Sequence, residues 1–195
     1  MSSSIVIFSA TRIKEELQMA MKAHGKTVTI KITIAAFLMA VNIVLSSFGV
    51  PVPGGHLYLN DVVICLAALL LDPVYAFAVG GIGAFLGDLL FYPAPMFVSL
   101  VTHGLQAVVI SLIAHKTFKE KPALSAVIAV SLGAIIMVAG YSLGRAYIYS
   151  TPEYAVIKLP FQILQASVGA IAGTILCFPC DIRKLYLKLT GQGAD

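Results

Sequence analysis

The chain of 195 residues is 59% hydrophobic, and charged side chains make up 11% of it. A soluble domain carries about 25% charged residues, so this composition excludes a water-soluble fold and indicates an integral membrane protein with one helical domain. The formal net charge of +4 comes from short basic flanks rather than from one basic face, which argues against binding to nucleic acid.

The apolar segments predict an all-α bundle of six transmembrane helices. An N-terminal segment, residues 1–29, is polar and basic and is typical of a short cytoplasmic or interfacial helix. The membrane domain, residues 30–180, is followed by a C-terminal tail, residues 181–195. Six spans are predicted within the membrane domain: Ile30–Phe48, Asn60–Leu71, Val74–Tyr92, Met96–His115, Ala123–Leu143 and Ile157–Pro179. The second of these is short for a full crossing.

Lysine and arginine predict the orientation of the spans. Basic residues cluster before the first span, between the fourth and fifth, and after the sixth: Arg12, Lys14, Lys22, Lys26, Lys31, Lys116, Lys119, Lys121, Arg183, Lys184 and Lys188. With six spans, all three clusters lie on one side of the membrane, so both termini are predicted to be cytoplasmic. Arg145 and Lys158 fall outside these clusters, which singles them out.

Polar side chains recur near the outer ends of the spans. Asp88 lies in the third span, and a carboxylate at the centre of such a helix costs about 2.5–3.5 kcal/mol unless it is paired, hydrated or used. His103 and Gln106 in the fourth span, like Gln162 and Gln165 in the sixth, are i, i+3 pairs that share a helix face. Because the inner halves hold few such groups, we predict a polar pocket that opens outward and is sealed inward by apolar packing.

We predict that eight side chains bind a small polar ligand: His56, Asn60, Asp88, His103, Gln106, Arg145, Gln162 and Gln165. The alternative is that they join helices, since interhelical polar bonds are common and worth about 0.6 kcal/mol on average. Asp88 and Arg145 are expected to form an ion pair, as a structural bridge or as a ligand contact. The loop Gly49–Leu59, rich in glycine and proline, is expected to be a lid or an ordinary connection, and Arg145–Tyr154 an outer loop.

The motifs predict neither an enzyme nor a resident cofactor or metal. Cys177 and Cys180 lack the second ligand pair that a metal site of this spacing needs. The segment Gly140–Gly144 matches G-x-S-x-G, but its context is helical and no histidine follows Ser142. The sequence has no phosphate loop, so ATP hydrolysis is expected in separate partner subunits.

Three segments in order resemble the substrate-binding (S) components of energy-coupling factor (ECF) vitamin transporters. They read GGHLYLND (Gly54–Asp61), LAALLLDP (Leu66–Pro73) and GGIGAFLGD (Gly80–Asp88). Six spans and the pair Ala36-xxx-Ala40 in the first span add to the resemblance, which covers about residues 26–188.

This resemblance implies a vitamin-binding subunit in a prokaryotic plasma membrane, docked onto a transmembrane coupling protein with two cytoplasmic ATPases. Ala36 and Ala40 would form the docking surface, and the loop before Asn60 would be the gate. The glycine–histidine segment favours pyridoxine or hydroxymethylpyrimidine as the ligand, with pantothenate, folate and riboflavin left open. Arg145 stands where riboflavin- and pyrimidine-type members often carry a glutamate, which argues against acid-dependent recognition.

A different class of function is a self-sufficient secondary carrier or channel for a small polar solute. Such a protein is expected to contain an inverted repeat and helices broken near the membrane midplane. The sequence shows neither feature, which favours the S component.

Overall fold

The computed structural model describes residues 2–118 and 120–192, with side chains for Gln18, Met21 and the described residues from 23 onward. Within that part the chain forms α1 (Ser2–Leu45), β1 (Val50–Val52), β2 (Gly55–Leu57), α2 (Asn60–Leu70), α3 (Pro73–Phe77), α4 (Gly83–Phe91), α5 (Met96–Lys116), α6 (Pro122–Gly144), α7 (Pro152–Cys177) and α8 (Ile182–Thr190). The side chains of Arg12, Lys14, Lys22 and Lys119, used to predict orientation, lie outside the described part.

The mostly helical architecture agrees with the predicted membrane bundle. Among the described residues, five helical stretches are long and apolar enough to cross a membrane: Ala23–Leu45, Pro73–Phe91, Met96–Lys116, Pro122–Tyr149 and Pro152–Cys177. The remaining predicted span, α2, has 11 residues. At the helical rise it is about 16 Å long, against a hydrocarbon core of about 30 Å. Six complete crossings and two cytoplasmic termini therefore stay predictions.

The short helix α2 lies at the centre of the bundle, and each of its residues except Val62 is buried. It packs closely on α7 because glycines face it: a Cβ added to Gly173 would come within 2.7 Å of Cys65 Cβ. The polar residues Asn60 and Asp61 lie at its first turn, whereas the rest of the helix is apolar and belongs to the main core. The polar groups of α2 are thus confined to its first turn.

The third predicted span is interrupted by a π-helical turn, Ala78–Ile82, between α3 and α4. The interruption faces α1, where buried Asn42 donates a hydrogen bond from Nδ2 to the carbonyl oxygen of Val79 at 2.6 Å. Gly83 allows this approach, since a Cβ there would lie 2.7 Å from Asn42 Nδ2. A backbone carbonyl at the irregular turn is therefore satisfied by the neighbouring helix.

Three segments outside the predicted spans contain secondary structure that the sequence did not predict. The loop Gly49–Leu59 contains an antiparallel hairpin in which Val50 pairs with Leu57 and Val52 with Gly55. The segment expected as an outer loop begins with a second π-helical turn, Arg145–Tyr149, that continues α6. The C-terminal tail, described to residue 192, contains α8, and Thr27 Oγ1 of α1 donates to the carbonyl oxygen of Thr190 at 3.2 Å. Helix α1 runs without a break through residue 29, so no helix end marks the predicted boundary there.

Candidate functional site

A cavity lies between the β1–β2 hairpin and the polar ends of the helices. Seven of the eight predicted residues line it: His56, Asn60, Asp88, His103, Arg145, Gln162 and Gln165. Other polar and aromatic side chains also line it, namely Ser46, Tyr58, Tyr92, Tyr141, Tyr149 and Lys158. Its volume is about 50 Å³, enough for a few water molecules but small beside the roughly 300–1,000 Å³ of typical ligand sites. The cavity is therefore smaller than a ligand of that size.

Two cationic side chains hold the hairpin over the cavity, and we call them with their acceptors the hairpin latch. Arg145 Nη1 donates to the carbonyl oxygen of Gly54 at 2.7 Å, and Lys158 Nζ donates to the carbonyl oxygen of His56 at 2.6 Å. Gly54 has φ +80°, and a Cβ there would meet Lys158 Cβ at 3.0 Å, so both conformation and contact require glycine. Lys158, which the sequence singled out by its position outside the basic clusters, is 2% exposed.

The expected ion pair between Asp88 and Arg145 is not formed. Arg145 instead donates to the hairpin and places its guanidinium carbon 5.2 Å from the centre of the Tyr149 ring. Asp88 accepts a hydrogen bond from Ser99 Oγ. The prediction was wrong because the hairpin fold, which the sequence did not reveal, brings a backbone carbonyl within reach of Arg145.

A hydrogen-bonded chain fixes the cavity wall beside Asp88. Ser99 Oγ donates its one hydroxyl hydrogen in the bond to Asp88. In its 2.5 Å contact with the Tyr141 hydroxyl, Ser99 is therefore the acceptor and Tyr141 the donor. The Tyr141 ring packs edge-on against the ring of His103, with 5.1 Å between ring centres. Neither Ser99 nor Tyr141 was among the predicted residues, and helical spacing alone did not connect them with Asp88.

Gln106, the eighth predicted residue, lies behind the cavity wall rather than on it. Its Oε1 is 2.7 Å from His103 Nδ1, and its Nε2 donates to Asp61 Oδ1 at 3.1 Å. Gln165 Nε2 donates to the other oxygen, Asp61 Oδ2, at 2.7 Å, and Gln165 Oε1 accepts from the backbone N–H of Tyr58 at 3.1 Å. Asp61, which is 1% exposed, is thus the centre of a network that the sequence did not predict.

Several buried polar atoms around the cavity have no hydrogen-bond partner among the described residues. They include Asn60 Oδ1, Arg145 Nε and the hydroxyl of Tyr149. A buried polar group left unpaired costs about 1–3 kcal/mol. All three side chains line the cavity, so polar groups of a bound molecule could complete their hydrogen bonding.

Aromatic side chains form a rim at the hairpin side of the cavity. The ring of His56 lies 6.2 Å from that of Tyr58 and 6.5 Å from that of Tyr92. Burial, followed by the nearby charge of Asp88, raises the pKa of the Tyr58 hydroxyl above its ordinary value. Tyr58 therefore remains a neutral hydroxyl that can donate and accept hydrogen bonds at physiological pH.

The predicted docking residues lie elsewhere, on the outward face of α1. Ala36 and Ala40 are exposed, and their neighbours Phe37 and Val44 are 67% and 55% exposed. This face therefore presents small and apolar side chains away from the bundle.

Two comparisons with known proteins relate most of this chain to other sequences. Residues 26–181 match the family described as ECF-type riboflavin transporter, S component. A protein of Pyrococcus woesei described as "Uncharacterized protein in gap 3'region" is 32% identical over 136 residues, which are 69% of this chain and 89% of that protein.

Proposed function

Because the chain belongs to the family of ECF-type riboflavin transporter S components, we propose that it captures a water-soluble vitamin in the cavity under the hairpin for an ATP-driven importer. Members of this family are membrane-embedded substrate-binding subunits, not enzymes, and they act with the components of an ECF module. The hairpin is the gate in this proposal.

The observation that carries the proposal is the polar cavity itself. A bundle that merely needed polar contacts between helices would pair its buried groups with one another. Here Asn60 Oδ1, Arg145 Nε and the Tyr149 hydroxyl have no partner among the described residues, and all three side chains line one cavity. Such convergent polar groups at one end of an apolar bundle are typical of a small-molecule site.

We propose a planar heteroaromatic vitamin as the ligand. The family description makes riboflavin the first candidate. Pyridoxine or hydroxymethylpyrimidine is the second, favoured by the closed cavity of about 50 Å³, which needs less opening to admit a single ring. Either ring would lie near Tyr58, Tyr141 and Tyr149, whose faces and edges suit aromatic contacts.

The proposed partners are a transmembrane coupling protein and two cytoplasmic ATPases. The exposed face of α1 supports a docking surface at Ala36 and Ala40, since small side chains let two helices approach closely in a membrane. The cell membrane is the proposed location, with both termini in the cytoplasm.

The test is co-expression of the chain with a coupling protein and its ATPases, followed by purification and reconstitution into liposomes. We expect a stable complex, and we expect uptake of a labelled vitamin that requires ATP on the side of the membrane where the ATPases are bound. Mass spectrometry of small molecules retained on the purified chain would identify the ligand. Uptake by the chain alone, without ATPases, would contradict the proposal and support a self-sufficient carrier.

A further inference from the structure

The network behind the cavity wall contains an amide whose orientation is determined by its neighbours. Gln106 lies between Asp61 and His103, with its two amide atoms 3.1 Å and 2.7 Å from them. With Asp61 as a carboxylate, which can only accept hydrogen bonds, the amide atom of Gln106 that faces it is the nitrogen. The oxygen of Gln106 must then face His103.

The orientation of Gln106 assigns the proton on the imidazole of His103. A carbonyl oxygen accepts hydrogen bonds, so His103 Nδ1 must carry the hydrogen that it donates to Gln106 Oε1. In a neutral imidazole the other nitrogen is then a hydrogen-bond acceptor. His103 Nε2 has no hydrogen-bond partner among the described residues, and His103 lines the cavity.

We infer that Asp61 acts through Gln106 to hold His103 as the neutral Nδ1–H tautomer, so that Nε2 presents a hydrogen-bond acceptor to the ligand. This inference rests on the proposed function and deepens it. It identifies Asp61 and Gln106 as positioning residues and His103 as a specificity-determining residue. The ligand class it selects carries an N–H or O–H donor on the edge of its ring.

The surroundings of His103 hold the ring in one plane, as a selective acceptor requires. Tyr141 packs edge-on against it and is itself fixed by the chain through Ser99 to Asp88. On the far side of the network, Asp61 is held by Gln165 as well as by Gln106. The closest oxygen of Asp61 is 3.8 Å from His103 Nδ1, beyond hydrogen-bond distance, so Gln106 is the link between them.

The arrangement discriminates between ligands by leaving a mismatched one with unpaired groups. A ring that offers an N–H or O–H group completes a hydrogen bond with Nε2. A ring that offers a carbonyl oxygen or a bare nitrogen at the same place sets two lone pairs against each other. The expected preference is about 5- to 150-fold in affinity, the range for a buried group left unpaired.

The substitution Asp61→Asn tests whether Asp61 acts on His103 through Gln106, because Asp61 itself does not line the cavity. An asparagine can accept from Gln165 through its oxygen and donate to Gln106 through its nitrogen. Gln106 would then rotate and donate to His103 Nδ1, which moves the imidazole proton to Nε2. The cavity would thereby exchange an acceptor for a donor with almost no change in shape.

The deciding measurement is the ¹⁵N spectrum of histidine side chains in the purified, membrane-reconstituted chain, which needs no ligand. The His103 signal is assigned by its loss in His103→Gln. We expect the Nδ1–H tautomer in the wild type and in Asp72→Asn, a matched exposed aspartate, and the Nε2–H tautomer in Asp61→Asn. An Nε2–H tautomer or a doubly protonated ring in the wild type would overturn the inference, as would an unchanged spectrum in Asp61→Asn.

A second measurement tests the ligand class by titrating riboflavin, pyridoxine and hydroxymethylpyrimidine in a calorimeter. The vitamin that binds the wild type most tightly should bind Asp61→Asn about 5- to 150-fold more weakly and Asp72→Asn equally well. Unchanged affinity in a variant whose tautomer has switched would overturn the role of Nε2. If none of the three binds, the proposed vitamin class fails, and so does the proposed hydrogen bond from the ligand to His103 Nε2. The ¹⁵N spectrum still decides whether Asp61 sets the tautomer of His103 through Gln106.

Discussion

The cavity under the hairpin and the exposed face of α1 are both proposed binding surfaces, but the first consists mainly of polar side chains and the second of small and apolar ones. The cavity combines a carboxylate, amides, imidazoles and cations, several of them held by hydrogen bonds to one another, to the network behind the wall or to backbone carbonyls. The α1 face has small and apolar side chains, with Ala36 and Ala40 exposed beside Phe37 and Val44.

This difference implies two kinds of sensitivity to mutation. A polar cavity fails when a partner is removed, because the remaining group stays buried and unpaired. A surface of small residues has no such partners to lose and fails when bulk is added, because the approaching helix is held away. Recognition and docking should therefore be separable by different types of substitution.

The largest expected effect is on docking. The double variant Ala36→Trp/Ala40→Trp should abolish co-purification with the coupling protein, because two indoles would hold the helices apart. Vitamin binding to the isolated chain should stay at the wild-type level, since neither residue lines the cavity. A complex that forms and transports normally with both substitutions would rule out a docking surface on α1.

A smaller but still large effect is expected in the cavity. His103→Leu and Gln165→Leu should each weaken vitamin binding by about 5- to 150-fold, because each removes a buried hydrogen-bonding group. Titration calorimetry on the purified variants would measure this, and a cooperative melting transition would show that they remain folded. Affinities equal to the wild type would contradict the placement of the ligand against these side chains.

A moderate effect is expected at the hairpin latch. Arg145→Met should raise amide hydrogen exchange in residues 50–57 by about 10-fold, since a hydrogen bond from a charged donor is worth about 1.5 kcal/mol or more. Lys31→Met is the matched control, because it breaks an ion pair with Asp72 beyond the other end of α2. Equal exchange in both variants would show that Arg145 does not hold the hairpin.

The smallest expected effect defines the edge of the cavity along α6. Ser131 is exposed, and its hydroxyl bonds to the carbonyl oxygen of Val127 in its own helix. Ser131→Leu should therefore leave vitamin affinity unchanged, although Met137 and Tyr141 of the same helix line the cavity. A loss as large as that of His103→Leu would contradict a site confined to one end of the bundle.

The helical spans and much of the cavity could be predicted from the sequence, for a physical reason. Polar side chains are costly in a membrane, so those that occur at similar depth on different helices tend to face one another. That argument selected Asp88, His103 and Gln165, which the structure brings to one cavity. Their roles in ligand binding stay predictions.

Other features could not be predicted because they depend on the direction in which a side chain points, which its depth in the membrane does not determine. Asp61 follows Asn60 in the chain, yet Asn60 lines the cavity while Asp61 organises the network behind it. Arg145 was expected to pair with Asp88 but binds the hairpin, whose fold depends on contacts with α7 and the turn that follows α6. Lys158 was noticed from its position in the charge pattern, although its partner His56 lies far away in sequence.

The hairpin latch has a consequence for the speed of capture. In the proposed vitamin capture the cavity of about 50 Å³ has to open, so association waits for the fraction of molecules in which the latch is released. The apparent dissociation constant is then the intrinsic one divided by that fraction. The same bonds that slow arrival also lengthen the residence time of a captured molecule. The strength of two hydrogen bonds to backbone carbonyls would thus set the balance between scavenging rate and retention when the nutrient is scarce.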